Sequence, residues 1–194
     1  IIIAVIAVAN RYYADSWRNV GVFCLLMLSI LSTFFTLYVF TLGTGYQGTT
    51  LDKKLEIERK DVSSSGLIST TDIMLAHVQE LEPEIRYGGD GFSVMPYGYD
   101  EMVSKLLDAF DTVGETYDFV KNFRCPVKRV MHSEPWTYTH ITGVYSYFTG
   151  ESNININMPD YTVPFTAAHE LAHQRGVAKE QEANFAAVLA SMES

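Results

Sequence analysis

The sequence is short of cysteine, of basic residues and of charge in general, and each shortage excludes something. There are two cysteines. Cys24 lies in an apolar run and Cys125 in a polar region, so neither a disulfide framework nor a cysteine-built structural zinc site is available. Lys and Arg number 14 against 23 Asp and Glu, a net charge of -9 that argues against a nucleic-acid partner. Charged residues make up 19% and hydrophobic residues 47% of the 194 positions. That is more apolar than a soluble domain usually is, and a membrane segment explains the excess. Internal repeats are absent, and so are low-complexity tracts outside residues 63–66.

Charge is missing altogether between residues 20 and 51. Residues 20–42 are long enough for one tilted bilayer crossing, with Phe34, Phe35, Tyr38 and Phe40 weighting the far end. Residues 1–9 are wholly apolar but too short to span, and read as the end of a truncated transmembrane helix joined to the next by a polar loop, 10–19. That preceding run favours an anchor over a signal peptide. The loop carries Arg11 and Arg18, while the other flank carries Lys53, Lys54, Arg59 and Lys60. A plain count of positive charges therefore points the following domain inward, although large domains translocate regardless of such counts. Residues 43–66 read as a juxtamembrane linker, and 67–194 as a functional domain expected to continue past Ser194.

Within that domain, Ser69 or Thr70 is expected to cap a helix whose apolar stripe is Met74, His77, Val78, Leu81 and Ile85, ended by Gly88 and Gly89. His77 on that stripe reads as structural. Asp100 is expected to cap a long helix with Val103, Leu106, Leu107, Phe110, Val113, Tyr117 and Val120 on its buried face. Strands are expected at 127–131 and 143–148, with a turn at Thr149 and Gly150. From residue 153 to 158 asparagines alternate with Ile154, Ile156 and Met158, which predicts an antiparallel edge strand. Its Asn153 and Asn155 either face a cleft, where an extended substrate pairs with the strand backbone, or face solvent.

Residues 164–185 hold the chemistry. His169, Glu170 and His173 spell HExxH, and on a helix the two imidazoles stand on one face, able to reach one zinc ion. Glu170, turned about 100° from His169, lies beside the metal, where a general base for a zinc-activated water belongs. Gly176 permits a left-handed turn after the helix, so the chain can double back. Helical spacing on the next helix, 178–192, puts Glu180 on the stripe of Ala183, Ala187 and Ala190, and Glu182 with Phe185, Leu189 and Met192. Glu180 is the expected third ligand with Glu182 as runner-up, and Asn184 is placed to hydrogen-bond a ligating histidine. Candidate oxyanion donors are Tyr145, Tyr147 and Arg175.

The spacing of Glu180 and Asn184 after HExxH resembles the glutamate element of the gluzincin metallopeptidases, although only six residues separate His173 from Glu180. The stretch 142–185, with TGVYSYFTGESNININ, PFTAAHELAHQRG and EQEANF, resembles an uncharacterised bacterial family of membrane-anchored zinc-metallopeptidase-like proteins. That resemblance implies a zincin-like fold, zinc, peptide or protein substrates and an extracytoplasmic domain on the bacterial cell membrane. Lys179 stands where metzincins place a third histidine, which excludes that ligand set.

The expectation is thus an α+β domain with a small antiparallel sheet and paired active-site helices, anchored in a membrane and hydrolysing peptide bonds. Two alternatives stand beside it. One is a zinc-binding membrane sensor or scaffold without turnover; the other is a zinc hydrolase of a non-peptide amide or ester in the cell envelope. Tyr145, Tyr147, Asn153 and Asn155 are the candidate substrate-binding residues.

Overall fold

The computed structural model describes residues 7–8, 16–58, 60–120 and 123–194. The expected helix end at 1–9, apart from residues 7 and 8, and the flanking Arg11 and Arg59 lie outside the described residues. The chain divides into two compact units, 1–44 and 45–194.

In the first unit, α1 (Ser16–Tyr38) runs on through a π-helical turn, Val39–Gly43. The helical stretch Arg18–Tyr46 is long and apolar enough to cross a membrane. The hydroxyls of Thr33, Thr36 and Thr41 donate to the carbonyls of Ser29, Ser32 and Leu37, one turn back. These three hydroxyls thereby satisfy themselves on their own helix, as an apolar solvent requires.

The second unit combines helices with a three-stranded sheet, an α+β arrangement. A short helical turn, α2 (Leu51–Lys54), comes first, with Leu51 buried. Next is α3 (Ser64–Leu81), which starts earlier than Ser69 or Thr70 because the Ser63 hydroxyl accepts the Gly66 N–H at 3.1 Å and caps it there. Its stripe is helical as predicted through Leu81, while Ile85 is extended, and none of the helix's residues is buried. His77 is exposed too, 3.5 Å from Glu80.

The core helix is α4 (Tyr99–Thr116). Gly98 rather than Asp100 is its N-cap; Asp100 and Glu101 fall in the first turn, where the helix dipole favours acid. Met102, Val103, Leu106, Leu107, Phe110 and Val113 are buried, so the predicted face does form the core. It packs on α6 (Val163–Gln174) and α7 (Glu180–Glu193). On α7 the buried side chains Ala183, Ala186, Ala187 and Ala190 are all small, which lets the helices approach closely.

The sheet comprises β1 (Lys128–Arg129), β2 (Gly143–Ser146) and β3 (Glu151–Ile154), with α5 (Ser133–Thr137) between β1 and β2. Its order is β1-β3-β2, parallel between β1 and β3 and antiparallel between β2 and β3. The sheet is therefore mixed, not antiparallel, and the strand expected at an edge is central. It is also shorter than the alternation implied. Asn155 Oδ1 accepts the Asn157 N–H at 2.9 Å, and its Nδ2 donates to Ile141 O and Thr137 Oγ1. An asparagine that captures local backbone groups in this way ends the strand.

Candidate metal centre

Helix α6 starts with Pro164 in its first turn and carries the HELAH run. Its inner face, Ala167, Ala168, Leu171 and Ala172, is fully buried, so His169 and His173 are held on the boundary between core and solvent. The helix ends in a Schellman turn: Gly176 has φ +91°, its N–H reaches His173 O at 2.9 Å, and the Val177 N–H reaches Ala172 O at 3.1 Å. The left-handed residue at Gly176 thus matches the expectation. The turn also aims the Val177 carbonyl back at the helix, where it lies 2.7 Å from His173 Nδ1.

Helix α7 then begins at Glu180, two residues later than the spacing implied, with Lys179 as its cap residue. Glu180 Oε2 is 3.1 Å from His169 Nε2, Glu180 Oε1 is 3.6 Å from His173 Nε2, and the two Nε2 atoms are 3.0 Å apart. All three donor groups lie within 4.8 Å of one another. One turn along α7, Asn184 Oδ1 lies 2.8 Å from His169 Nδ1. Both outward nitrogens thus face oxygen acceptors and carry the protons, which leaves both inward nitrogens with lone pairs.

Two imidazole lone pairs and a carboxylate that point at one another repel unless a cation lies between them. Burial lowers the His173 pKa, which disfavours a proton on that imidazole. Tetrahedral zinc with bonds of about 2.0–2.1 Å spaces its ligands roughly 3.3 Å apart; the Nε2–Nε2 separation and the His169 Nε2–Glu180 Oε2 separation lie near that value. The donor set therefore fits a tetrahedral ion with one position open.

Glu170 is buried beneath this cluster. Burial, with the Glu180 charge adding to it and the Tyr145 amide N–H opposing, pushes its carboxyl pKa up to about 8. Its Oε2 is buried with no hydrogen-bond partner. The Ser152 hydroxyl donates to the Glu170 backbone carbonyl at 2.7 Å, tying β3 to α6. At Gly143 in β2 a Cβ would lie 2.6 Å from Glu170 Oε1, so only glycine leaves this carboxylate its place.

The profile of DUF3810, described as a protein of unknown function, matches residues 1–194. The chain belongs to the DUF3810 family. No curated protein and no solved structure matches it.

The other expected site residues of this DUF3810 chain fall in different places. Glu182, the runner-up ligand, is buried and turned from the imidazoles: its Oε1 accepts the Leu51 N–H at 3.1 Å and lies 4.0 Å from Lys179 Nζ. It does not share an apolar face with Phe185 and Met192, which are exposed. Asn155 is consumed by the turn after β3, and Asn153 Nδ2 donates to Glu151 O. Asn153 points to the sheet face opposite Ser152, the residue that meets α6, so neither asparagine faces the donor cluster. Tyr145 does adjoin it, with its ring 6.5 Å from that of His173 and its amide on Glu170. Tyr147 lies past the end of β2, its ring 4.1 Å from Phe148. Arg175 is buried against Phe110, 4.3 Å from the ring, and donates to Leu171 O; burial pushes its pKa down to about 10. That orientation toward α4 removes it as an oxyanion donor. Gly143, Ser152 and Val177 are the supporting residues that periodicity missed. A glycine opening a strand, as Gly143 does, was the available signal.

Proposed function

We propose that this DUF3810 protein is a membrane-anchored zinc peptidase with a zincin-like domain, in which His169, His173 and Glu180 hold the ion and Glu170 is the general base. The observation that carries the reading is the convergence of two imidazole lone pairs and one carboxylate, each imidazole oriented by its own hydrogen bond, beside a buried carboxylate with one unpartnered oxygen. When bound, zinc supplies Lewis acidity and a nucleophilic water near neutral pH.

The chain's own residues supply the rest. Glu170 Oε2 is the free atom that takes the proton of the attacking water and passes it to the leaving amine. The Tyr145 N–H fixes Glu170 from the β2 side. β2, not β3, is the sheet edge beside α6, and an extended substrate would pair with it through backbone hydrogen bonds. The helix Arg18–Tyr46 would anchor the enzyme in a bacterial membrane, with the domain on the outer side.

Elemental analysis of the purified full-length protein tests the metal, and cleavage of an unfolded protein substrate by the parent and Glu170→Gln tests the chemistry. One zinc per chain, lost in His169→Ala and Glu180→Ala, is expected, with cleavage abolished in Glu170→Gln while zinc is retained. Zinc without any Glu170-dependent hydrolysis would instead favour a sensor or scaffold.

A further inference from the structure

The metal cluster faces one side of the 176–182 segment, and something else holds the other side. Residues 45–54 belong to the same compact unit as the donors. Leu51 is buried, and its N–H donates to the buried Glu182 Oε1 at 3.1 Å, across 131 residues of sequence. At Gly45 a Cβ would lie 2.9 Å from the Cβ of Ala178, so the segment touches the turn directly as well. Glu180, the carboxylate donor, lies between these two contacts, and Val177, whose carbonyl orients His173, immediately precedes the first.

We propose that residues 45–54 form a strap that sets the metal geometry, with Glu182 as its clamp and a positioning residue for Glu180. The physical reason is the shortness of the connection. Glu180 and Glu182 lie in the first turn of α7 on different faces, so fixing the Glu182 carboxylate fixes the rotation of that turn. Rotation in turn decides whether Glu180 reaches the imidazoles. The first turn of a helix lacks most of the amide hydrogen bonds that hold later turns, although here the Glu182 N–H reaches Lys179 O at 3.0 Å, and it frays most easily, so an outside clamp matters most there. The strap begins at the end of the apolar stretch Arg18–Tyr46, which makes the metal site dependent on residues far from it in the chain.

This inference rests on the zinc reading, and its test separates the two. Zinc affinity of the full-length protein is measured by competition with a chromophoric chelator, alongside the visible spectrum of the cobalt-substituted protein. Glu182→Ala should weaken zinc about tenfold, the lower range for loss of a group that orients a ligand, and shift the cobalt bands. Glu182→Gln keeps an oxygen acceptor for the Leu51 N–H and should stay within about threefold of the parent, well inside that range. Gly45→Ala presses on Ala178 without removing a polar group and should weaken zinc as well. Thermal unfolding of the metal-free variants reports general destabilisation separately.

A second readout needs no metal. The His173 Nδ1 proton, held by Val177 O, should exchange faster with solvent in metal-free Glu182→Ala than in the parent or Glu182→Gln. Unchanged zinc affinity in both Glu182→Ala and Gly45→Ala overturns the strap, as does failure of Gln to rescue. A parent that binds no zinc yet shows the imidazole-proton pattern overturns the metal reading and leaves the strap standing; loss of that pattern overturns the strap itself.

Discussion

Asn184 Oδ1 lies 2.8 Å from His169 Nδ1 and, as an acceptor, fixes which ring nitrogen of that histidine carries the proton. A group in this position tunes a metal site without touching the metal. Asn184→Leu removes the acceptor at similar size, and zinc affinity is expected to fall by about 10- to 100-fold. Asn184→Asp, which keeps the oxygen, should remain close to the parent. Equal affinity of Asn184→Leu and the parent in a chelator competition would show that the contact orients nothing.

On the proposed mechanism, Gly143 would bear on the chemistry rather than on the metal. In Gly143→Ala the new methyl would meet Glu170 Oε1 at 2.6 Å and Cγ at 2.8 Å, so the carboxylate must move. Displacement of a catalytic group by about 1 Å costs roughly 100-fold in rate. The expected result is a loss of that order in hydrolysis with one zinc still bound per chain. Full activity with the alanine in place would remove Glu170 from the mechanism.

Tyr99 reports on the fold at alkaline pH. Its hydroxyl donates to Val127 O at 3.0 Å, and burial pushes its pKa up to about 12, with the Arg129 charge opposing and the Asp100 charge adding to the shift. The folded pKa lies above the unfolded value, so the fold favours the protonated phenol. That contribution is complete below about pH 10 and is lost as the pH rises through the folded value. Tyr99→Phe should cost about 1 kcal/mol at neutral pH through the lost hydrogen bond, and its deficit against the parent should shrink between pH 10 and 12. Urea midpoints across that range test it; a deficit that does not change with pH would contradict the assignment.

Helix α3 and helix α4 carry similar apolar stripes but differ in what covers them. Phe110 on α4 is 1% exposed, and Val78 on α3 is 58% exposed. Phe110→Ala should therefore destabilise the domain by about 3–5 kcal/mol, while Val78→Asp should stay within about 0.5 kcal/mol. Thermal unfolding compares the two directly. A large loss at Val78 would mean that the helix is covered in solution.

That contrast also marks how far the sequence could be read. The 3.6-residue stripe located both helices, because periodicity reports amphipathicity, but it does not say whether a partner for the stripe exists. The HExxH spacing brought His169 and His173 together on one helix, since four residues are one turn wherever the helix lies. Placement of Glu180 beside them depended on Gly176, whose turn was legible as a helix terminator. Asn155 was misread because the alternation continues past the strand, and nothing local announces that it will turn its side chain onto Ile141 and Thr137. The clamp between Leu51 and Glu182 spans 131 residues, and no periodicity encodes a contact of that range.

The Schellman turn at Gly176 has a consequence for the order in which the site assembles. It keeps the three donors and both of their orienting partners, Asn184 and Val177, inside residues 169–184. Contacts so close in sequence lose little chain entropy on closing and form early. Glu170, by contrast, acquires its surroundings from Gly143, Tyr145 and Ser152, which arrive only when the sheet docks. A hairpin that gathers the donors should therefore precede one with the strap and Glu170's surroundings in place, and refolding followed by cobalt absorption and by activity should show weak cobalt colour before parent-like affinity and turnover.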